Sequence, residues 1–169
     1  TGSRAEYGLL SPILKEIKRH DDLDLQLVAT TMHLSDEFGL TYQQIEKDGF
    51  KIDEKIDNLS KVDSNSSMAK SSGMAIILLA ECFEKLSPDI VLLLGDRFET
   101  HAAATTALLM NIPIAHVHGG EVTQGAVDEQ LRHAITKMSY LHFCSTNVYR
   151  HRIIQMGEDA SKVFNFGAP

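Results

Sequence analysis

The stretch Ile90-Val91-Leu92-Leu93-Leu94-Gly95-Asp96-Arg97 decides the fold class predicted for this chain of 169 residues. Five consecutive apolar residues, stopped by a glycine and two charged residues, are typical of a strand that is buried on both faces of a parallel sheet. Apolar spacing predicts a helix before this strand, over residues 68–86, and another after it, over residues 100–110. A strand enclosed by helices is the repeating unit of an α/β fold.

Outward from this strand the chain continues to alternate helix and strand. Single helices between strands imply parallel strands and right-handed crossovers, so we predict a doubly wound, Rossmann-like α/β sheet in one domain over residues 1–169. The remaining predicted helices cover 7–18, 41–47, 126–138 and 148–156, the remaining predicted strands cover 25–30, 50–56, 114–118, 140–144 and 163–166, and the polar stretch 57–67 predicts a mobile loop.

Composition favours a soluble globular protein. Hydrophobic residues make up 43% and charged residues 23% of the chain, near the globular average, and no apolar run approaches the roughly 20 residues that cross a bilayer. The net charge of −7 is unlike the basic surface that binds nucleic acid. Cys82 and Cys144 lie far apart in apolar contexts, which predicts two buried thiols and no metal site. We therefore expect a cytoplasmic protein with neither a nucleic-acid nor a membrane partner.

Both ends of the sequence suggest a piece of a longer polypeptide. The chain opens on the loop-like Thr1-Gly2-Ser3-Arg4 with no strand before it, and it closes on Phe166-Gly167-Ala168-Pro169 directly after a predicted strand. We expect a first strand and a C-terminal domain to be missing.

Polar residues concentrate where the predicted strands end. In open parallel sheets, ligands bind beyond the carboxyl ends of the strands. At the end of the apolar strand, Asp96 would then act as an acid/base group and Arg97 as a clamp on a phosphate. The alternative is a structural ion pair that caps the following helix.

The segment His116-Val117-His118-Gly119-Gly120-Glu121 gives a sharper signal. Two glycines after a strand permit a tight turn and a close approach of the backbone to a ligand. Glu121, together with Asp128 and Glu129 at the start of the next helix, would supply the carboxylates needed to remove and return a proton at one carbon. Alternatively, Asp128 and Glu129 only favour the helix N-terminus, and Glu129 is the one expected to face solvent.

Two further candidates lie in the first third of the chain. His33 lies between a predicted strand and a short predicted helix. A lone histidine in such a loop more often forms hydrogen bonds within the loop than takes part in catalysis. Arg4, together with Gly2, would hold a phosphate at the N-terminus of the first helix. The sequence around them is not the dinucleotide fingerprint, which disfavours NAD, and the chain contains no P-loop.

Five segments, in order along nearly the whole chain, carry a resemblance to a known family: residues 1–8, 32–35, 95–99, 116–123 and 125–137. They resemble the hydrolysing UDP-N-acetylglucosamine 2-epimerases, most closely the bacterial sialic-acid-pathway branch. The resemblance implies that this chain is the first Rossmann-like domain of a two-domain, glycosyltransferase-B-type enzyme. It also implies that the enzyme forms dimers or tetramers, and that this domain turns over little by itself.

The implied reaction converts UDP-N-acetylglucosamine and water into UDP and N-acetylmannosamine. The C2 proton is abstracted, UDP is expelled, and water adds across the resulting double bond with the opposite configuration at C2. No cofactor is required. Matched position by position, Asp96 and Asp128 correspond to catalytic carboxylates, His33 to a histidine implicated in catalysis, and Arg4 and Arg97 to arginines that contact the nucleotide.

One position departs from the family pattern. Some relatives carry a glutamate with an acid/base role where this chain has His118, and Glu121 is the nearest carboxylate here. The resemblance leaves open whether His118 or Glu121 takes that role. It also leaves open the same reaction on a UDP-diacetamido-sugar for legionaminic-type acids. Rivals from other classes are a glycosyltransferase, which would need an acceptor sugar, and a non-catalytic nucleotide-sugar sensor, which would tolerate loss of the carboxylates.

Overall fold

The computed structural model describes residues 1–57, 64–124 and 127–169, and it confirms the α/β class of the fold. The chain forms two compact units, Thr1–Leu86 with Pro169 and Ser87–Ala168. The alternation of elements predicted one parallel sheet. Over the described residues, the hydrogen-bonded strands form two parallel sheets, one of two strands and one of four. Within the described residues, no helix combines the length and the apolar character needed to cross a membrane.

The first unit packs helices against a short parallel ladder. Helix α1 (Arg4–Arg19) buries Tyr7, Leu10 and Leu14, whose spacing places them on one face. Ser3 caps the N-terminus of α1 by accepting a hydrogen bond from the Glu6 N–H at 3.4 Å. The elements are α1 (Arg4–Arg19), β1 (Val28–Thr30), α2 (Tyr42–Lys47), β2 (Glu54–Ile56) and α3 (Asn65–Leu86), with β1 and β2 parallel.

The second unit contains a four-stranded parallel sheet. Its strands lie in the order β3 (Val91–Leu94), β4 (Ile114–Val117), β5 (Leu141–Cys144) and β6 (Val163–Asn165). Because the strands are parallel and in register, their carboxyl ends lie at one edge, and the loops after β3, β4 and β5 meet there. The elements are β3 (Val91–Leu94), α4 (Phe98–Leu109), β4 (Ile114–Val117), α5 (Asp128–Met138), β5 (Leu141–Cys144), α6 (Asn147–Gln155) and β6 (Val163–Asn165).

Burial within this sheet differs from the prediction. All four residues of β4 are buried, whereas in β3 only Leu94 is buried and the other three are half-buried. The prediction that β3 is buried on both faces is therefore wrong. The reason is strand order: β4 lies between β3 and β5, and β3 is the first strand of its sheet. Cys82 and Cys144 are both buried thiols outside any disulfide, as predicted.

Helix α3 begins earlier than its apolar spacing predicts. Of the predicted loop 57–67, residues 58–63 lie outside the described residues, and Asn65–Ser67 belong to α3. Ser64 and Ser67 hydrogen-bond each other reciprocally, with the Ser67 N–H on Ser64 Oγ at 3.1 Å and the Ser64 N–H on Ser67 Oγ at 2.9 Å. Serines that predict a loop therefore cap this helix. The first residue of the predicted helix 126–138 also lies outside the described part of the chain, and α5 is described from Asp128.

Candidate active site

A buried arginine on α5, Arg132, connects the loops at the carboxyl edge of the second unit. Its side chain is only 9% exposed, and one terminal nitrogen, Nη2, donates to the carboxylate of Asp96 and to Thr123 Oγ1. The other, Nη1, donates to the carbonyl oxygen of His118 at 2.7 Å. Because a planar guanidinium presents its donors in a fixed fork, Arg132 holds the loop after β3 against the loop after β4.

Asp96 lies where β3 turns towards α4. Gly95 makes this turn with a φ of +85°, in the left-handed region that glycine adopts without strain. Besides Arg132, Asp96 Oδ2 accepts a hydrogen bond from Thr123 Oγ1 at 3.2 Å. The carboxylate is 18% exposed, so it remains open to a ligand while it is anchored by a charge.

Glu121 and His118 form a second pair in the loop after β4. His118 Nδ1 lies 2.6 Å from Glu121 Oε1, and Ser145 Oγ donates to the same oxygen at 2.7 Å. Arg132 Nη1 lies 3.9 Å from Glu121 Oε2. Burial by itself would raise the pKa of Glu121. The hydrogen bonds from Ser145 and His118 and the nearby charges outweigh burial, so the pKa of Glu121 is lowered from its usual value.

The two glycines of this loop fit closely against their surroundings. Gly120 has a φ of +71°, and a Cβ at this position would lie 2.7 Å from Ile153 Cγ1 and 2.8 Å from the carbonyl oxygen of Tyr149. Both contacts belong to α6, so the backbone of the loop approaches this helix directly. The predicted tight turn is present, and glycine is required at Gly120 by conformation and by space together.

His116 is a buried residue of β4 that supports the loops of the site through hydrogen bonds. It is fully buried, and because a carbonyl oxygen only accepts, its Nε2–H donates to the carbonyl oxygen of Gly95 at 2.8 Å. Nδ1 lies 3.3 Å from Thr136 Oγ1. Burial lowers the pKa of His116 to about 3, so the imidazole is neutral at neutral pH. This neutral ring ties the end of β3 to β4.

Arg97 and Asp96 do not pair with each other. Arg97 Nε donates to Glu99 Oε1 at 2.5 Å, and Asp96 binds Arg132 instead. The predicted alternative of an Asp96–Arg97 ion pair is therefore wrong. The Arg97 side chain remains 40% exposed at the start of α4.

The two acidic residues that open α5 differ in their contacts. Glu129 Oε2 accepts the N–H of Thr123 at 2.5 Å, and Glu129 Oε1 lies 3.5 Å from His133 Nε2. The expectation that Glu129 faces solvent is wrong, since its side chain is 26% exposed. Asp128 is half-buried at the first position of the helix, and no basic side chain among the described residues forms an ion pair with it.

His33 and Arg4 lie in the first unit. His33 has no exposed surface, and its ring nitrogens contact two hydroxyls, Nδ1 on Thr41 Oγ1 at 2.8 Å and Nε2 on Thr1 Oγ1 at 3.2 Å. Burial lowers the pKa of His33 to about 4. His33 is therefore a neutral, internal residue.

Arg4 is exposed at the first position of α1. The Gly2 N–H, predicted to help hold a phosphate there, donates to Glu6 Oε2 at 2.9 Å. This donor is therefore used within the chain, and only the Arg4 side chain of the predicted pair is turned to solvent.

Sequence reasoning assigned no role to three residues of the site, Arg132, Thr123 and Ser145. A signal for Arg132 is present in α5, where it shares the buried face with Ile135 and Thr136 at a spacing of three and four residues. An arginine on the apolar face of a helix needs a buried acceptor. Among the described residues, no group of three His, Cys, Asp or Glu side chains is placed to hold a metal ion.

Comparison with known proteins places the fold and these motifs in one family. The sequence model of the UDP-N-acetylglucosamine 2-epimerase family matches residues 15–169. The chain belongs to this family. Its resemblance to the hydrolysing members, inferred from the motifs, is confirmed by curated relatives. One, from Campylobacter jejuni, is 48% identical over 168 residues and is named GDP/UDP-N,N′-diacetylbacillosamine 2-epimerase (hydrolyzing). Another, from Legionella pneumophila, is 45% identical over 169 residues and is named UDP-N,N′-diacetylbacillosamine 2-epimerase (hydrolyzing).

Solved structures match the fold of this chain. A crystal structure of UDP-N-acetylglucosamine 2-epimerase matches with a TM-score of 0.87 and 25% identity, covering 99% of this chain and 46% of that one. The Neisseria meningitidis enzyme bound to UDP-GlcNAc matches with a TM-score of 0.85 at 24% identity, over 99% of this chain and 44% of that one. The matches to the two curated relatives include 99% and 100% of this chain. They span only 44% and 45% of the length of the relatives.

Proposed function

We propose that the full-length protein that carries this sequence is a hydrolysing 2-epimerase of a UDP-activated 2-acetamido sugar. The observation that carries the proposal is the pair of carboxylates, Asp96 and Glu121, held by one buried arginine at the carboxyl edge of a parallel sheet. Removing and returning a proton at one carbon requires more than one acid/base group around that carbon. In this proposal a second, C-terminal domain completes the site. The two curated relatives are about twice as long as this chain.

The proposed reaction has two steps, an elimination and a hydration. A base removes the C2 proton of the sugar, and the electrons of the C–H bond form a double bond to C1. The bond from C1 to the diphosphate oxygen breaks at the same time, and its electron pair leaves with UDP. Water then adds its hydroxyl to C1 and a proton to the opposite face of C2, which gives the epimerised free sugar without a cofactor.

Roles follow from the surroundings of each residue. Asp96, Asp128 and either Glu121 or His118 exchange protons with the sugar and with the departing or attacking oxygen. Arg4 and Arg97, the exposed and the partly exposed arginine, hold the diphosphate and stabilise the charge that develops on it.

We propose for His33 a role other than the catalytic one that the family resemblance implies. Both of its ring nitrogens contact hydroxyls, and the residue has no exposed surface. In this proposal it positions the loop that follows β1 and does not contact the sugar.

The sugar is proposed from the relatives. The Campylobacter jejuni and Legionella pneumophila proteins, at 48% and 45% identity, carry the name of a diacetamido sugar. The Neisseria meningitidis serogroup B protein named UDP-N-acetylglucosamine 2-epimerase is 32% identical. Sequence similarity therefore favours a UDP-diacetamido-sugar over UDP-N-acetylglucosamine. We further propose a cytoplasmic homo-oligomer that supplies a nonulosonic acid pathway of the sialic or legionaminic type.

Proton NMR of the full-length protein in heavy water, with each UDP-sugar in turn, tests the function. The expected products are free UDP and the 2-epimeric sugar carrying deuterium at C2. Asp96→Asn and Asp128→Asn should each lower turnover by at least 10²-fold. Asp89→Asn, the same change at an exposed position, should leave turnover unaltered.

Each rival predicts a different result. A glycosyltransferase would release UDP at a useful rate only with an acceptor sugar and would leave C2 undeuterated. A sensor would bind the UDP-sugar, return it intact, and bind it as well with Asn at position 96 as with Asp. Either result, with both sugars tested, refutes the proposed function.

A further inference from the structure

The loop after β4 holds an imidazole against a carboxylate. His118 Nδ1 and Glu121 Oε1 are 2.6 Å apart. A carboxylate only accepts hydrogen bonds, so the proton of this bond lies on Nδ1. In the neutral ring the other nitrogen, Nε2, then carries a free lone pair. The hydrogen bond thus selects one of the two tautomers of His118.

The lone pair of His118 Nε2 meets no hydrogen-bond donor in the part of the chain that the structure describes. This atom is buried and lacks a hydrogen-bond partner among the described residues. Buried polar atoms without a partner are rare and costly in folded proteins, and they call for an explanation. The unpaired nitrogen is explained if it acts as a base, because its partner is then a group of the bound substrate.

Glu121 itself is poorly suited to remove a proton. Its Oε1 accepts from both His118 and Ser145, at 2.6 and 2.7 Å, and Arg132 Nη1 lies 3.9 Å from Oε2. Burial favours the protonated form of Glu121, but these partners dominate and lower its pKa. A carboxylate with a low pKa is a weak base at neutral pH, and it is well suited to orient an imidazole and stabilise the imidazolium.

The backbone fixes the direction of the His118 side chain. His118 adopts a φ of +64°, in the left-handed region that a residue with a Cβ enters only under strain. Its N–H donates to the carbonyl oxygen of Phe143 at 3.0 Å, and its carbonyl oxygen accepts from Arg132 at 2.7 Å. Contacts from β5 and α5 therefore hold a strained residue in place, as is common where the strain serves an active site.

We propose that His118 is the base of the reaction, and that Glu121 and Ser145 are positioning residues that hold its imidazole. This inference rests on the proposed function. His118 Nε2 forms a bond to the C2 proton as the C–H electrons pass into the C1–C2 double bond and UDP leaves with the C1–O electrons. The ring becomes an imidazolium with Glu121 beside it. The proton passes from this ring to solvent or to product before the next turnover.

The charged and titratable groups around His118 come from every neighbouring element. Glu121 in the same loop favours the imidazolium, and Arg132 on α5 disfavours it. Asp96 after β3 offsets Arg132 by pairing with it, and His116 on β4 is buried and neutral. Replacing Glu121 by glutamine removes the carboxylate in contact with the ring, and with it the charge that stabilises the imidazolium.

The test compares four variants of the full-length protein by the pH dependence of kcat/KM. Asparagine tolerates the left-handed backbone, so His118→Asn removes the imidazole with little added strain. It should lower kcat by about 10² to 10⁴-fold and abolish the fall in activity on the acid side. Glu121→Gln should keep this fall, because the imidazole remains, and should lower kcat by a smaller factor than His118→Asn. Ser145→Ala should lower kcat by a smaller factor at an unchanged KM. His151→Asn, at an exposed position on α6, should behave as the native protein.

Two results would overturn the inference. In an active enzyme, an acid limb that survives His118→Asn and disappears in Glu121→Gln makes Glu121 the base. A nitrogen-15 NMR spectrum of the His118 ring that shows the proton on Nε2 at neutral pH contradicts the tautomer on which the proposal depends. If the native protein releases no UDP from either sugar, the proposed function is refuted. The nitrogen-15 spectrum still shows, independently of activity, whether His118 Nδ1 carries the proton that faces Glu121.

Discussion

Replacing Gly120 by alanine should destabilise the protein through two separable effects. The first is conformational, because a φ of +71° places an L-residue in the left-handed region at a cost of about 1 to 2 kcal/mol. The second is steric, because the new Cβ would lie 2.7 Å from Ile153 Cγ1 and 2.8 Å from the backbone oxygen of Tyr149. The backbone oxygen cannot rotate away, and overpacking of this kind costs about 1 to 3 kcal/mol.

A smaller effect opposes these two. Alanine restricts the unfolded chain more than glycine does, which stabilises the folded state by about 0.4 to 1 kcal/mol. The expected net loss is therefore about 3 kcal/mol. For a chain of this size it corresponds to a fall in Tm of about 6 to 12 °C.

Two matched glycines separate the effects. Gly95 has a φ of +85° with nothing within 4 Å of its Cβ position, so Gly95→Ala reports the conformational cost alone, about 1 kcal/mol. Gly8, in the exposed face of α1, has neither problem, and Gly8→Ala should stabilise the protein by about 0.5 to 1 kcal/mol. Urea unfolding followed by circular dichroism gives the free energy of unfolding of each variant. Equal losses for Gly120→Ala and Gly95→Ala would refute the close approach of this loop to α6.

Three further predictions follow from buried polar groups. The pKa of His116 is about 3 in the folded protein and about 6.5 in the unfolded chain. Below pH 6.5 the unfolded chain therefore binds more protons at this residue than the folded protein does. Acidification from pH 6.5 to 5 should then cost about 2 kcal/mol through this residue, and His116→Gln should lose that part of the pH dependence of urea unfolding. Arg132→Lys should lower the free energy of unfolding by about 1 to 3 kcal/mol, because one ammonium cannot reach both Asp96 and the carbonyl oxygen of His118. Urea unfolding measures this loss, and an unchanged unfolding midpoint would contradict the role of the guanidinium fork. Ser3→Ala should cost about 1 kcal/mol by removing the cap of α1, whereas Ser3→Asp should keep the cap and the stability.

The type and order of the elements were readable from the sequence. The apolar run before Gly95 and the 3.6-residue spacing within the helices are local properties, so they predict strand and helix without knowledge of the partners. Helix starts were less readable. Ser64 and Ser67 suit a loop or a cap equally well, and only the fold decides that they begin α3.

The sequence also determined where the candidate site lies, because loops at the carboxyl ends of parallel strands share one edge. It did not determine which residues bind each other there. Asp96 pairs with Arg132, 36 residues away, and not with its neighbour Arg97. The register of β3, β4 and β5 brings these loops together, and register is set by packing along the whole sheet. For the same reason the pairing of His118 with Glu121 and Ser145 belongs to the tertiary structure: hydrogen bonds between loops depend on distances that neighbouring letters in a sequence do not encode.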